Sequence, residues 1–368
     1  MNLSLIDDAD RFAAMRAEWN ALLADSDASG PFLTWEWLHA WWTHLGGAAA
    51  LRLAVVRDGS TLVAVTPLLV SRGSFGWLSR LEFLGTGGAG SDYLDVIARR
   101  GLEREAAAAI ARGLETQNLT IHLRNLRPGA TALQLPEQLS QTHWTLNQSA
   151  SGVCPVIALA GHTWDSYLAT LGSNHRANVR RRIRGLEKQF DVRFDRVAAE
   201  PDRDACLRAL IAFHAGRFTD RGGSSAFASP ALCGFHDDAT RRLLSAGWLR
   251  MYTLRLDGVI TACMYGFLFD GRFYFYQHGF DAACQQHSVG LVLMAFAIRS
   301  AIEEGAREFD MLWGTEPYKW LWARETRALT AIDLFPAHIG GAVQRGRVEA
   351  RRGVRRLVHM LAGESRAT

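Results

Sequence analysis

The feature that most constrains the fold is an order of elements that occurs twice along the 368 residues. Two apolar hairpins turn at Asp58-Gly59 and Asp257-Gly258, 199 residues apart, and Asp-Gly is a strong hairpin signal. The helix and strand that follow each hairpin recur 189 residues apart, starting at Gly101 and Leu119 in the first copy and at Gly290 and Glu308 in the second. The sequence therefore predicts a mixed α/β (α+β) fold of two similar units, each a twisted mixed sheet flanked by helices.

The boundary between the two units should lie in a polar stretch, residues 134–153, which contains Pro136 and Ser149-Ala150-Ser151-Gly152. We therefore predict a first domain over residues 1–150 and a second over residues 151–340.

Positive charge is concentrated in two segments, although the formal net charge is only +4. Residues 175–196 carry eight basic and three acidic side chains, and residues 341–368 carry seven arginines and two acidic side chains. The second segment also has valines and leucines at near-helical spacing, which predicts a basic amphipathic tail that docks on the body, a partner protein or an anionic membrane surface. The basic helix 175–184 is either a solvated face or a clamp for a phosphate, an anionic sugar or RNA.

The five cysteines, at positions 154, 206, 233, 263 and 284, show neither paired spacing nor a metal-ligand pattern. Dispersed thiols in a long chain indicate a reducing compartment. No signal-peptide pattern opens the sequence, and no apolar run approaches the ~18 residues that span a bilayer. We expect a cytoplasmic protein with no metal site.

Four tryptophans, at positions 35, 37, 41 and 42, follow Pro31 closely. They could form a platform for a sugar or a nucleobase, but their helical spacing favours a buried helix whose aromatic side chains fill the core.

A strand followed by a small-residue loop and a helix indicates where an anion could bind. The strand Tyr274–Phe280 leads through residues 285–290 into an apolar helix, and a helix N-terminus presents free N–H groups to anions. Ser288 should cap this helix, and Gly290 should allow close backbone approach.

Several segments resemble the GNAT (Gcn5-related N-acetyltransferase) superfamily, in particular its CelD-like branch. That branch is associated with cellulose and exopolysaccharide synthesis and is related to the Fem peptidyltransferases. The resembling segments are residues 31–38, 83–85, 91–95, 173–180, 280–281, 288–293 and 309–319. The most specific is the run Asp310-(x)3-Gly314-x-Glu316-x-Tyr318-Lys319. The resemblance covers residues 5–335 and implies tandem GNAT-like domains, the second of which binds acyl-CoA.

The superfamily's pyrophosphate loop, Gln/Arg-x-x-Gly-x-Gly/Ala, corresponds to Gln285–Gly290, with Ser288 at the usual place of the first glycine. The resemblance therefore implies acetyl-CoA or another acyl-CoA as co-substrate, and the alternative is an ordinary helix cap. The predicted cofactor-binding residues are Gln277, His278, Gly279, Gln285, Gln286, His287, Ser288, Val289 and Gly290.

Acyl transfer from a thioester to an amine requires an acid, a base and a donor to the oxyanion. Tyr318 follows a strand, as the proton-donating tyrosine does in many GNAT enzymes, and we predict that it protonates the leaving thiolate. The predicted bases are Glu316, Asp310 and His214. The alternative for Asp310 is a structural hydrogen-bond acceptor, that for Tyr318 is a core tyrosine, and that for His214 and His278 is a core histidine. The predicted substrate-binding residues are Arg217, Lys319 and Trp322, with Lys319 either orienting an anionic substrate or solvated.

The leading hypothesis is an acyl-CoA-dependent N-acyltransferase, most simply an acetyltransferase, that acts on the amine of a small-molecule or sugar acceptor and has no nucleic-acid partner. One alternative is a Fem-like aminoacyltransferase that takes its acyl group from aminoacyl-tRNA. Another is a non-catalytic GNAT-fold partner in a polysaccharide-synthesis assembly.

Overall fold

The computed structural model describes residues 1–72, 79–139, 144–217, 225–337, 341–343, 345–346 and 349–350, without the side chains of residues 216, 217 and 225. The strands are β1 Asn2–Ile6, β2 Ala50–Leu51, β3 Leu53–Asp58, β4 Thr61–Thr66, β5 Leu68–Ser71, β6 Arg80–Phe83, β7 Ile97–Ala98, β8 Thr120–Leu126, β9 Thr145–Ala158, β10 Val192–Arg196, β11 Leu249–Leu256, β12 Val259–Phe269, β13 Arg272–Phe280, β14 Glu308–Asp310 and β15 Glu325–Phe335.

The α-helices are α1 Ala9–Ala14, α2 Arg16–Ala24, α3 Trp35–Leu45, α4 Glu103–Glu115, α5 Leu135–Leu139, α6 Trp164–Thr170, α7 Ser173–Gln189, α8 Glu200–Arg217, α9 Pro230–Ser245, α10 Val289–Glu303 and α11 Lys319–Trp322. Short 3-10 helices cover Pro31–Leu33, Thr131–Gln134, Ser225–Phe227 and Ala282–His287. We call residues 1–158 the first half and residues 159–337 the second half.

The strands form two sheets. The larger has eleven strands in the order β10-β11-β12-β13-β14-β9-β15-β8-β6-β5-β2, and the smaller has four in the order β1-β3-β4-β7. In the described residues, neighbouring strands are antiparallel except for two parallel pairs, β13–β14 and β6–β8.

The predicted duplication is confirmed by the order of the elements. In the first half the hairpin β3–β4 is followed by β6, α4 and β8, and β8 is parallel to β6. In the second half β11–β12 is followed by β13, α10 and β14, which is parallel to β13. The first hairpin differs because Pro67, which has no N–H to donate, separates β4 from β5. As a result β3 and β4 lie in the small sheet, whereas β2 and β5 lie in the large one.

The two halves share the centre of the large sheet through an exchange of their last strands. β9, the last strand of the first half, pairs with β14 of the second half. β15, the last strand of the second half, pairs with β8 of the first half, and β9 and β15 pair with each other. The predicted boundary at residue 150 lies within β9, and the division into residues 1–150 and 151–340 stays a prediction. The polar composition of this stretch has a plain cause, because the first part of β9 has one exposed face.

The core interpretation of the tryptophan-rich helix is confirmed. Thr34 caps α3 by accepting a hydrogen bond from Trp37 N, and Trp35, Trp37 and Trp41 are buried. The Trp37 ring packs edge-on against Phe235 of α9 at 4.8 Å between centroids, so this helix joins the two halves.

Several expectations concern single features of the chain. All five cysteines are free thiols, as predicted. Among the described residues, no helix is both long and apolar enough to cross a membrane, and no three or more His, Cys, Asp or Glu side chains are grouped to hold a metal ion. Most of the predicted tail, residues 341–368, lies outside the described residues.

Candidate functional site

A cleft opens where β13 and β14 separate. The two strands pair only over three residues each, from Arg272–Tyr274 and Glu308–Asp310. β13 then continues to Phe280, whereas β14 ends at Asp310, and the chain turns away through Leu312, which has a positive φ of 56°. Beyond residue 274 the edge of β13 that faced β14 has no strand partner among the described residues, so an extended ligand could pair with it.

A β-bulge lies at the mouth of this cleft. Tyr265 on β12 pairs with Gln277, but the next residue, Gly266, pairs with Phe275, so Tyr276 is the extra residue. A Cβ atom on Gly266 would lie 2.1 Å from the backbone oxygen of Tyr274, which explains the glycine. The bulge turns the side chains of the following residues relative to those of the rest of β13.

Two of the predicted residues meet across the cleft. The rings of His278 on β13 and Tyr318, immediately before α11, lie 5.6 Å apart between centroids, and the His278 ring also packs against Phe275 at 5.1 Å. Both residues are half-buried. A proton donor and a titratable ring therefore lie together where the unpaired edge of β13 begins.

His214 lies on α8, which packs against β13 from the opposite side. Its Nε2–H donates to the backbone oxygen of His278 at 3.0 Å, so the basic nitrogen is Nδ1. Gly279 is needed for this approach, because a Cβ atom there would lie 3.0 Å from Leu210 and 3.3 Å from His214. The His214 side chain also borders a cavity of about 340 Å³, lined by Ile211, His214, Ala215, Phe227 and Ala228.

The predicted cofactor loop differs from the expectation in its local structure. Residues 282–287 form a 3-10 helix capped by Asp281, whose carboxylate accepts from Ala283 N at 2.9 Å. Ser288 has a left-handed conformation (φ 57°, ψ 37°), and its side chain makes no capping hydrogen bond to α10. The prediction that Ser288 is an N-cap by its side chain is therefore wrong, because a cap of that kind needs an extended backbone.

The glycine at position 290 also has a packing reason. A Cβ atom there would lie 3.0 Å from the ring of Phe280, and neighbouring Val289 is fully buried. Gln285 and Gln286 are exposed and His287 is half-buried, so these three side chains are the accessible part of the predicted loop.

A cavity of about 590 Å³ lies between this loop and the basic helix α7. It is lined by Arg181, Arg182, Gly185, Leu186, Gln189, Gln286 and His287. Arg182 donates to the backbone oxygen of Gln286 at 3.3 Å, while its Nε is buried without a hydrogen-bond partner in the described structure. Arg181 bonds to Asn178 at 2.8 Å. Two guanidinium groups beside a helix start suit an anion such as a phosphate.

Lys319 is buried, so the predicted alternative that it is solvated is wrong, while its role in orienting an anionic substrate stays a prediction. It is 3% exposed, and its Nζ donates to the backbone oxygens of Leu312 and Trp313 at 3.3 and 2.9 Å. The same Nζ forms an ion pair with Glu316 at 3.0 Å. Since an ammonium group has three protons, these contacts use all of them. Lys319 therefore holds the loop between β14 and α11, and Glu316, half exposed, is engaged in the same loop.

Trp322 and Arg217 are the other predicted substrate residues. Trp322 is 2% exposed, packs edge-on against His175 at 4.7 Å, and accepts a hydrogen bond on its backbone oxygen from Tyr167. It belongs to the core of the second half, and its role in substrate binding stays a prediction. The side chain of Arg217 lies outside the described structure.

Asp310 is fully buried in a network that joins the halves. Its carboxylate accepts from Tyr93 at 2.7 Å, Arg327 at 2.5 Å and Leu312 N at 2.8 Å. Burial raises the pKa of Asp310 to about 6, although Arg327 and Tyr93 act in the opposite direction. With three donors and no exposed surface, its geometry matches the alternative that it is a structural acceptor. Its role as a base stays a prediction.

Sequence reasoning missed two members of this network, Arg327 and Tyr93, and the neighbouring Asp92, which accepts from the backbone N–H of Trp313. Arg327, which also pairs with Glu308 at 2.9 Å, lies in no recognisable motif. Asp92 and Tyr93 belong to one of the resembling segments, residues 91–95. The available signal was that several polar residues lie close together there.

A match to a protein family covers the elements that form the cleft. A family model described as "Acetyltransferase (GNAT) domain" matches residues 173–320, from the start of α7 into α11. No curated protein matches the chain by sequence.

Solved structures resemble the chain over most of its length. The crystal structure of FemX is similar with a TM-score of 0.61 at 10% identity, covering 90% of this chain and 97% of that one. A conserved protein of unknown function from Bacteroides thetaiotaomicron VPI-5482 gives 0.58 at 13% identity, covering 90% and 99%. The structure of L-PGS from Bacillus licheniformis gives 0.56 at 12% identity, covering 89% and 91%. At such identities the likeness concerns the fold alone.

Proposed function

We propose that this chain, whose residues 173–320 match the acetyltransferase (GNAT) domain, transfers an acyl group, most simply acetyl, from acyl-CoA to the amine of a small-molecule or sugar acceptor. The observation that carries the choice of donor is the cavity beside Arg181, Arg182 and His287, which lies where β13 leads out of the cleft. A coenzyme A molecule has a phosphate-rich end and an extended pantetheine arm. The cavity with its arginines suits the phosphates, and the unpaired edge of β13 suits the pantetheine arm.

The proposed reaction uses residues on both faces of β13. The acceptor nitrogen attacks the thioester carbonyl carbon, and a backbone N–H of β13 near the bulge donates to the oxyanion. The C–S bond breaks when the tetrahedral intermediate collapses, and Tyr318 gives its proton to the leaving thiolate. His214 takes the proton of the acceptor amine on Nδ1, since its Nε2–H is held by His278 O. The cavity beside His214 and Phe227 is then the acceptor side.

The test of this function combines binding and turnover. Calorimetry with CoA should show that Arg182→Ala weakens the affinity about 10-fold or more, as for a charge-assisted hydrogen bond. Arg184→Ala is the matched control, because Arg184 is exposed on the same helix but does not line the cavity. Tyr318→Phe should bind CoA like the wild type and release thiol from acetyl-CoA more slowly, by roughly 100-fold or more in the presence of an accepted amine.

The same experiment separates the alternatives. A panel of hexosamines, amino acids and polyamines identifies the acceptor class by thiol release. Equal CoA affinity in wild type and Arg182→Ala would contradict the donor site, and binding of neither CoA nor tRNA would favour a non-catalytic partner.

Aminoacyl-tRNA is a second candidate donor. The observation that favours it is the exposed face of α7, where Arg180 and Arg184 lie outside the cavity that Arg181 lines, together with the fold likeness to FemX. Titration with tRNA at increasing salt tests it, because phosphate contacts weaken steeply with ionic strength. Tight, salt-dependent tRNA binding without CoA binding would replace the first proposal.

A further inference from the structure

One segment of the first half reaches into the site of the second half. After β6, residues 84–96 cross to the second half. They do not form a loop like the predicted cofactor loop, residues 285–290, which follows β13. The Tyr276 hydroxyl donates to the backbone oxygen of Ala89, the Tyr93 hydroxyl donates to Asp310, and Asp92 accepts from the backbone N–H of Trp313 at 2.9 Å. All three contacts fall on β13, β14 or the loop that follows β14.

The loop between β14 and α11, residues 311–318, carries Tyr318 to the cleft and has little regular structure. Leu312 has a φ of 56° and Gly314 a φ of 130°, so its backbone conformation needs external support. Asp310 accepts from Leu312 N, and Lys319 donates to the oxygens of Leu312 and Trp313. Two further N–H groups of the loop donate to β9, Met311 N to Pro155 O at 2.9 Å and Gly314 N to Val153 O at 3.2 Å. Between them, the N–H of Trp313 has a side-chain partner outside the loop, and that partner is Asp92.

Asp92 lies in a buried position, where an ionised carboxylate is energetically unfavourable. It is 4% exposed, and its second carboxylate oxygen accepts from Asn125 at 3.0 Å. Burial raises the pKa of Asp92 to about 7, while the Trp313 N–H acts in the opposite direction. The next residue, Tyr93, has a positive φ of 60°. A buried carboxyl group beside a strained tyrosine adds little stability, and such features concentrate at functional sites.

We propose that Asp92 is a positioning residue supplied by the first half: through the Trp313 N–H it fixes loop 311–318 so that the Tyr318 ring lies against His278. The catalytic consequence rests on the proposed proton-donor role of Tyr318. The first half then contributes a positioning residue to the site in the second half, in addition to repeating the fold.

Hydrogen exchange on the full chain tests the loop directly. In Asp92→Ala the amides of residues 311–318 should exchange about 10-fold faster or more, since one charge-assisted bond is lost. Asp92→Asn can still present an oxygen to Trp313 N–H and should restore most of the protection. Thermal melts show that each variant is folded.

Asp95 provides the matched control. It is 2% exposed and lies three residues further on, but within the described structure its carboxylate accepts only from N–H groups of the first half, those of Val96, Thr131 and Ala132. Asp95→Ala should lower stability to a similar degree and leave exchange in loop 311–318 unchanged. If both variants change this loop equally, or neither changes it, the proposal is overturned.

Turnover supplies the second readout. With acetyl-CoA and water as the acyl acceptor, thiol release by Asp92→Ala should fall by roughly 10- to 100-fold in kcat at an unchanged KM, because a small displacement of a catalytic group costs this much. A faster-exchanging loop with unaffected kcat would overturn the positioning role. If the wild type itself releases no thiol, the proposed function fails, while the exchange experiment still decides whether Asp92 fixes the loop.

Discussion

Single buried residues determine how this protein should respond to pH, and His236 is the clearest case. It is fully buried, its Nε2–H donates to Ala226 O at 3.0 Å, and its Nδ1 accepts from the Tyr265 hydroxyl at 2.5 Å. Burial lowers the pKa of His236 to about 3. The ring is therefore neutral in the folded protein, because protonation of Nδ1 would end the donation from the Tyr265 hydroxyl and place a positive charge in the core.

Acidification should therefore destabilise the fold through His236. In the unfolded chain this histidine has its usual pKa near 6.5, so between pH 6.5 and about 3 the unfolded state binds more protons. The stability that this group contributes is complete above pH 6.5 and is lost as the pH falls, with a slope of up to about 1.4 kcal/mol per pH unit. Denaturant unfolding at a series of pH values measures the slope.

His236→Gln is the control variant, because an amide can keep both hydrogen bonds and does not titrate. The difference in slope between the two proteins isolates His236 from the buried carboxyl groups, whose raised pKa values act in the opposite direction. Identical slopes would show that His236 is not neutral in the folded state.

At the scale of elements, α7 contains a glycine that the helix itself does not need. Gly185 lies four residues before the end of the helix at Gln189, has no positive φ, and a Cβ atom there would meet nothing within 4 Å. It lines the cavity beside Arg181 and Arg182. A residue that weakens the helix but borders the proposed donor site is best explained by the space it leaves.

Gly185→Ala should therefore separate stability from binding. Alanine is the better helix former, and the free energy of unfolding should rise by about 0.5–1 kcal/mol. The added methyl group projects into the cavity, so the CoA affinity should fall. Thermal unfolding and calorimetry on the same preparation measure both effects. Higher stability with unchanged CoA affinity would place the phosphates of the donor elsewhere.

The elements themselves were largely predictable, because their signals are short-range. The Asp-Gly turns, the apolar helix α10 and the repeated order follow from local spacing, and the structure confirms them. The pairing of His278 with Tyr318 also matches two residues that the sequence singled out. The direction of a side chain is a different matter: Lys319 and Trp322 point inward for reasons of packing that no local pattern shows.

The least predictable contacts join residues far apart in the sequence. Asp310 accepts hydrogen bonds from Tyr93, 217 residues earlier, and from Arg327 on β15. Their meeting depends on the exchange of β9 and β15 between the halves, which the polar composition of β9 concealed. A sequence pattern can identify each strand, but not which half of the molecule it will join.

At the scale of the whole molecule, the exchanged strands should make the two halves inseparable. A protease site inserted after Gly161 would cut the chain in an exposed turn, where φ is 77° and a Cβ atom would meet nothing within 4 Å. The first fragment would keep β9, which pairs with β14 and β15 of the second fragment. The second would keep β15, which also pairs with β8 of the first.

We expect the cut protein to elute as a single species of unchanged size in gel filtration and to separate only in denaturant. Its unfolding should remain one cooperative transition, shifted to lower stability, because only the covalent link and its entropic effect are lost. An uncut protein carrying the same insertion controls for the added residues. Fragments that separate in native buffer would show that each half folds alone, and the contacts of Asp92 and Tyr93 would then be a docking interface and not part of one core.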